Sequence, residues 1–262
     1  MKLSVSNIAW AKENDEMVYD LMKKLGYQGL EIAPTRIFPE NPYSHCDDMP
    51  LFTNRLRKEY QIEICSMQSI LYGKKENIFS SQKELESIEE YTKKAILFAQ
   101  AASCGNLVFG CPKNRNNIND SPTIIAEEYF LRMGQFAQQH GTCFSLEPNP
   151  EIYGTNYLTK TQEVFDLVRE LNCPGLGVNV DLGTMIQNKE KLDVLDFKYI
   201  NHIHISEPFL KKIEVNRIHK ELIECARENK YSKYISIEMG NLESIEEVEE
   251  VLENISSIFY KR

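Results

Sequence analysis

The chain has 262 residues, 42% of them hydrophobic, and a formal net charge of −9; it can bury a large core and has the usual length of one α/β barrel. The acidic balance, with a sequence pI near 5.2, argues against an electrostatic nucleic-acid binder, whose footprint is normally basic, while leaving room for a local basic pocket that takes a phosphate. No apolar run approaches the roughly 20 residues that span a bilayer, and Met1-Lys2 leads into a strand-like stretch rather than a secretory leader, so a soluble, cytoplasmic protein is expected.

Strand-like and helix-like stretches alternate from end to end. The first two strands are predicted over residues 2–7 and 29–33, with Gly26 placed to cap a helical run between them. A third strand (63–68) leads to a helical pattern over 82–103, and a fourth (106–110) to one over 123–140. A fifth (143–147) is followed by a helix over 160–171, and then by a sixth strand over 176–181. The seventh and eighth (200–205 and 234–238) are followed by helices over 214–229 and 242–259. In the last of these, Ile245, Val248, Val251, Leu252, Ile255 and Ile258 recur at helical spacing among glutamates. This order predicts a single (β/α)8 TIM barrel over residues 1–262 rather than an open sheet. No Gly-x-Gly-x-x-Gly follows the first strand, which counts against a dinucleotide site. The longest irregular segments, 34–50, 70–81 and 111–122, follow strands two, three and four. They belong on the C-terminal face, where barrel enzymes build their sites.

Four apolar strands close in residues able to hold a divalent ion: Glu147 after Phe144-Ser145-Leu146, Asp181 after Val178-Asn179-Val180, His204 in His202-Ile203-His204, and Glu238 after Ile235-Ser236-Ile237. Parallel strands share their C-terminal ends, so these four are expected to converge. Three carboxylates and an imidazole suit one hard or borderline divalent ion such as Mn, Mg, Co or Zn. Each residue also has a plainer reading. Glu147 and Glu238 read equally as solvated carboxylates, and Asp181 as a cap on the turn that follows it. His202 and His204 share a strand face, and one of them reads as a buried histidine satisfied by its surroundings. Asn7, Trp10, Gln68, Asn149, His202 and Glu207 are candidates for substrate contact, with packing an equal alternative for Trp10. The loop cations Arg36, Lys113, Arg115, Lys211 and Lys212 are candidates for clamping an anionic sugar, against ordinary solubilising charge. Seven scattered cysteines with no CxxC pair exclude a disulfide framework or structural zinc site as the expectation. Cys111 is placed to face a pocket.

The segments Leu146-Glu147-Pro148-Asn149, Val180-Asp181-Leu182-Gly183, His202-Ile203-His204-Ile205-Ser206-Glu207-Pro208 and Ser236-Ile237-Glu238 resemble the sugar phosphate isomerase/epimerase family of xylose-isomerase-like barrels. Gly29-Leu30-Glu31-Ile32 resembles its second-strand pattern, so the likeness covers nearly the whole chain. By that resemblance Glu147, Asp181, His204 and Glu238 are the expected ligands of one divalent metal ion. Glu147 and Glu238 are also the expected catalytic pair, exchanging a proton with the substrate through an enediolate. The chain departs from many relatives at Thr184, where they carry a histidine, and lacks the arginine that epimerases place after strand seven, having Leu210, Lys211 and Lys212 there. The resemblance therefore implies a metal-dependent isomerase or epimerase of a sugar or sugar phosphate. A dehydratase of an inosose or related keto-polyol on the same site, and a non-catalytic sugar-binding barrel, are the alternatives. The expected partner is a small-molecule sugar or sugar phosphate, with neither nucleic acid nor membrane, and a homo-oligomer is compatible with it.

Overall fold

Along most strands polar and apolar residues alternate, and the alternation decides which side faces the barrel axis. The structure, a computed structural model, describes residues 1–261. Its strands are β1 (Lys2–Ser6), β2 (Gly29–Ile32), β3 (Glu63–Met67), β4 (Leu107–Phe109), β5 (Phe144–Leu146), β6 (Leu176–Asp181), β7 (Ile200–Ser206) and β8 (Tyr234–Glu238). All pair in parallel with their neighbours in sequence, and β1 pairs with β8, so the sheet closes into the predicted barrel. The principal outer helices are α1 (Asp15–Leu25), α4 (Gln82–Ala101), α5 (Ile124–Gln139), α6 (Thr161–Leu171), α8 (Arg217–Glu228) and α9 (Ile245–Tyr260). The shorter α2 (Pro34–Ile37) and α3 (Met49–Arg55) lie between β2 and β3, and α7 (Leu182–Asn188) follows β6 directly.

Leu3, Val5, Leu107, Phe109, Phe144, Leu146, Val178, Val180, Ile203, Ile205, Ile235 and Ile237 are all fully or nearly fully buried within the apolar core. Their strand neighbours Ser4, Ser145, Asn179, His202, His204 and Ser236 are equally buried and polar. Side chains alternate across a strand, so one set packs against the helices and the other fills the barrel. The interior is therefore held by hydrogen bonds. Ser4 Oγ meets Ser236 Oγ at 2.6 Å, and Asn106 joins Ser66 (2.8 Å) to Ser145 (2.5 Å). Buried polar groups are tolerable only when paired in this way.

The irregular segments after β2 to β4 are partly ordered into short helices, including α2 within 34–50 and a turn of helix over Pro112–Arg115. Among the described residues no helix is long and apolar enough to cross a membrane. All seven cysteines are free.

Candidate metal centre and active-site cavity

Glu147 follows β5 by one residue, Asp181 and Glu238 end β6 and β8, and His204 lies two residues before the end of β7. Parallel closure brings one ligand atom of each within 4.8 Å of the others. His204 Nδ1 lies 3.1 Å from both Glu147 Oε2 and Glu238 Oε2. The carboxylates are themselves held. Glu147 accepts from Asn149 Nδ2 (3.0 Å) and Asn179 Nδ2 (2.6 Å). Asp181 accepts from Thr184 N (2.6 Å) and Ser206 Oγ (2.5 Å). Gly110, just past β4, is part of the same design, because a Cβ there would collide with the Glu147 carboxylate.

Glu31 of β2 is the residue that sequence reasoning missed. It is 0% exposed, and its Oε2 accepts from His204 Nε2 at 2.9 Å and lies 3.3 Å from His202 Nε2. The contact runs from β2 to β7 through the barrel interior. Burial acts to raise the Glu31 pKa, but the His204 charge and the bonds from both histidines outweigh it and hold it below the ordinary carboxylate range. The signals in the sequence are an acid in a short apolar strand, which local pattern cannot separate from a solvated one, and the likeness of Gly29-Leu30-Glu31-Ile32 to the family's second-strand pattern, which by itself gives Glu31 no role.

The electrostatics of this centre are lopsided. His202 is pushed down by burial, against the pull of Glu31, and so stays neutral. Burial would also lower His204, yet Glu238, Glu31 and Glu147 raise it well above its ordinary value. One imidazolium thus faces four buried carboxylates. Burial, then the repulsion of Glu147, raises Asp181. Burial lifts Glu238 to about 7, with Glu147 and Asp181 adding to it and His204 opposing. Excess buried negative charge is costly unless a cation compensates it. The donor set therefore fits a divalent metal ion, with His204 Nδ1 as the nitrogen ligand because Nε2 is committed to Glu31.

The centre opens into a cavity of about 780 Å³, within the roughly 300–1,000 Å³ typical of small-molecule sites. Glu147, Asp181 and Glu238 line it, as do Gln68, Asn149 and Glu207. Tyr153 and Phe209, neither of them singled out from sequence, line its wall with Leu210. Phe209 and Leu210 adopt left-handed backbone, φ 63° and 53°, which side chains of this size rarely take. Bonds from Phe209 N to Tyr153 Oη (2.8 Å) and from Gly240 N to Leu210 O (2.7 Å) hold them there. Such strain costs on the order of 1–3 kcal/mol per residue and clusters at functional sites.

Other candidates are placed elsewhere. Asn7 Oδ1 accepts from Ala33 N (2.9 Å), tying β1 to β2. Trp10 is buried and donates to Asp15 (2.8 Å), which also binds Arg36 (2.6 Å). His202 lies beneath the metal centre against Ser236 (2.9 Å). Arg115 is fully buried behind Glu147, donating to its carbonyl (2.7 Å) and to Asn149 Oδ1 (3.0 Å). Burial lowers its pKa to about 10, against the pull of Glu147. It shapes the loop after β5 rather than the rim. Lys211 is exposed and does not line the cavity, and Lys212 pairs with Glu247 and Glu250. Lys113 does line it, together with Lys74 and Lys75. Cys111 lines it too, but burial pushes its thiol up to about 12 and leaves it unreactive. Thr184 is buried and donates to Pro148 O (3.1 Å).

No curated protein matches the sequence. Several solved structures share the fold. A 3-keto-D-glucoside 4-epimerase from E. coli superposes with a TM-score of 0.76 at 15% identity, covering 98% of both chains. A D-psicose 3-epimerase crystallised in the presence of D-fructose gives 0.78 at 12% identity, covering 98% of this chain and 97% of its own. The IolI protein with a bound zinc atom gives 0.71 at 15% identity, covering 99% and 95%. Residues 19–258 match the xylose isomerase-like TIM barrel family, and this chain, whose barrel and polar interior have just been described, belongs to that family.

Proposed function

We propose that this protein is a metal-dependent isomerase or epimerase of a sugar or sugar phosphate. The observation that carries the reading is the meeting of Glu147, Asp181, His204 and Glu238 within 4.8 Å at the floor of an open cavity. The structural relatives named as sugar epimerases, and the zinc of the IolI protein, support it. An ion such as Mn, Mg, Co or Zn held by this donor set would supply a Lewis acid that polarises a substrate carbonyl and its neighbouring hydroxyl.

The rest of the chemistry falls to the chain. Glu147 and Glu238 reach His204 Nδ1 from separate strands. This suits one carboxylate to remove a proton from the carbon beside the carbonyl and the other to return one. Burial lifts Glu238 above the ordinary carboxylate range, to about 7 before an ion enters, which marks it as the more basic of the two candidates. Asn149 and Asn179 fix the Glu147 carboxylate. Gln68 and Glu207, which line the cavity, would meet substrate hydroxyls. Lys113, which lines the same cavity from the loop after β4, would meet a more distant group.

The test is metal analysis of the purified protein and of its His204→Ala and Glu238→Ala variants. About one divalent ion per chain is expected, lost in both variants while circular dichroism shows the fold intact. Metal-dependent uptake of solvent deuterium into a sugar or sugar phosphate would then identify the reaction. No bound ion, and no uptake of added Mn, Co, Mg or Zn, would sink the proposal and leave a sugar-binding barrel in its place.

A further inference from the structure

His219, on the first turn of α8, is fully buried, and its two ring nitrogens have different surroundings. Nδ1 accepts the backbone N–H of Asn216 at 3.2 Å, closing the capping box that starts the helix. A nitrogen that accepts cannot carry the proton of a neutral imidazole, so the proton sits on Nε2. Burial pushes the pKa of the ring down to about 4, which keeps it neutral. Among the described residues no hydrogen bond satisfies this buried Nε2–H. The cap is complete with Nδ1 alone, and a buried donor left unpaired is destabilising. The acid beside it is Glu207, whose Oε1 lies 3.4 Å from Nε2.

Glu207 directly follows β7, the strand between those that end in Asp181 and Glu238, and it lines the same cavity. Its backbone is held from two sides. A Cβ on Gly183 of α7 would come within 3.0 Å of the Glu207 carbonyl, and Leu210 N donates to Glu207 O at 3.0 Å. Its side chain is met from the start of α8. Asn216 Nδ2 donates to Oε1 at 3.4 Å, the same oxygen that His219 approaches, which leaves Oε2 for a group in the cavity. At 3.4 Å the histidine contact is longer than a good N–H···O bond, and a small turn of the carboxylate closes it. Polar contacts at reacting sites commonly tighten only when substrate binds.

Resting on the sugar-binding reading above, we infer that His219 is a positioning residue for substrate recognition: its Nε2–H takes Glu207 Oε1, and Oε2 is thereby aimed at a substrate hydroxyl. The pair makes binding depend on that hydroxyl, because a substrate without it leaves a held carboxylate oxygen unpaired.

Two readouts test this. The first is ¹H–¹⁵N NMR of the His219 ring, assigned by its loss in His219→Asn. A proton on Nε2 and none on Nδ1 is expected, with the Nε2–H resonance moving upfield in Glu207→Ala. The second is calorimetric binding of D-fructose and its four monodeoxy analogues, at C3 to C6, to the metal-supplemented protein. At least one analogue is expected to bind roughly ten- to a hundredfold more weakly than fructose, the range for a hydrogen bond to a charged group. That gap should close in Glu207→Ala. It should shrink several-fold in His219→Asn, whose side-chain oxygen still caps Asn216 N but offers no donor at the Nε2 position. His219→Gln, which brings an amide N–H to that position, should restore much of it, with metal content unchanged in every variant. A merely structural histidine would instead lower the melting temperature and weaken fructose and its analogues alike. That outcome overturns the inference, as does a proton on Nδ1, an Nε2–H resonance indifferent to Glu207→Ala, or a gap that survives His219→Asn. Equal binding of fructose and all four analogues, or no binding of any, overturns it too. A protein that takes up no metal yet keeps a His219-dependent gap overturns the isomerase reading alone.

Discussion

Glu31 sends its carboxylate across the barrel axis to His204, and the consequence is local. The bond at 2.9 Å to Nε2 fixes the ring so that Nδ1 faces Glu147 and Glu238. A carboxylate behind a histidine ligand orients the ring and raises its basicity, and losing it typically weakens metal binding by roughly 10–100-fold. The Glu31→Gln variant is expected to lose affinity for Co(II) in that range, read by visible absorption. The His204 ring nitrogens should show a changed tautomer balance by ¹⁵N NMR. Unchanged affinity and tautomer would assign Glu31 to packing alone. A second expectation concerns pH. Glu238 is lifted to about 7 and His204 is also raised, so an entering ion must displace protons from both. Metal affinity should therefore fall as pH drops through the raised His204 value and fall more steeply below about 7, where Glu238 also takes up a proton, by roughly tenfold per pH unit for each proton displaced. Proton release measured by calorimetry in buffers of different ionisation heat checks this, and a flat profile from pH 5 to 8 would contradict it.

Individual elements show why some of these residues could be read from sequence and others could not. Glu147, Asp181 and Glu238 each follow an apolar strand run, a short-range pattern that is visible along the chain. Asp181 turned out to serve as a cap too: its Oδ1 accepts from Thr184 N at the start of α7. Asn caps about as well as Asp, so Asp181→Asn separates the two roles. The melting temperature of the metal-free protein should stay within a few degrees of wild type, while metal affinity falls at least tenfold. A collapse in stability with metal affinity intact would leave capping as the role of Asp181. Arg115 illustrates the opposite case. From sequence it is one of several loop cations, and only the fold places it at 0% exposure behind Glu147. Lys74 and Lys75 were hidden for the same reason in reverse, being ordinary charges until the loops after β3 and β4 are brought together.

Across the molecule the barrel is apolar outside its sheet and polar within it, and its most concentrated burden is the carboxylate cluster at the C-terminal end. A ligand that binds only the folded state stabilises it by about 2.7 kcal/mol at a hundred times its dissociation constant. Saturating Mn, Co or Zn should therefore raise the melting temperature by several degrees and a chelator should reverse it. The His204→Ala variant should show neither effect. A melting curve indifferent to metal and chelator in the wild type would argue against the centre. The sequence by itself determined the eight-strand alternation, the barrel class and the four strand-end donors, because each depends on periodicity and residue type within a few positions. Only the tertiary structure decided that Glu31 backs His204, that Arg115 is buried while Lys74, Lys75 and Lys113 share a cavity, and that Phe209 and Leu210 wall it. Those facts depend on which distant segments meet when β8 closes onto β1, and no local pattern carries that information.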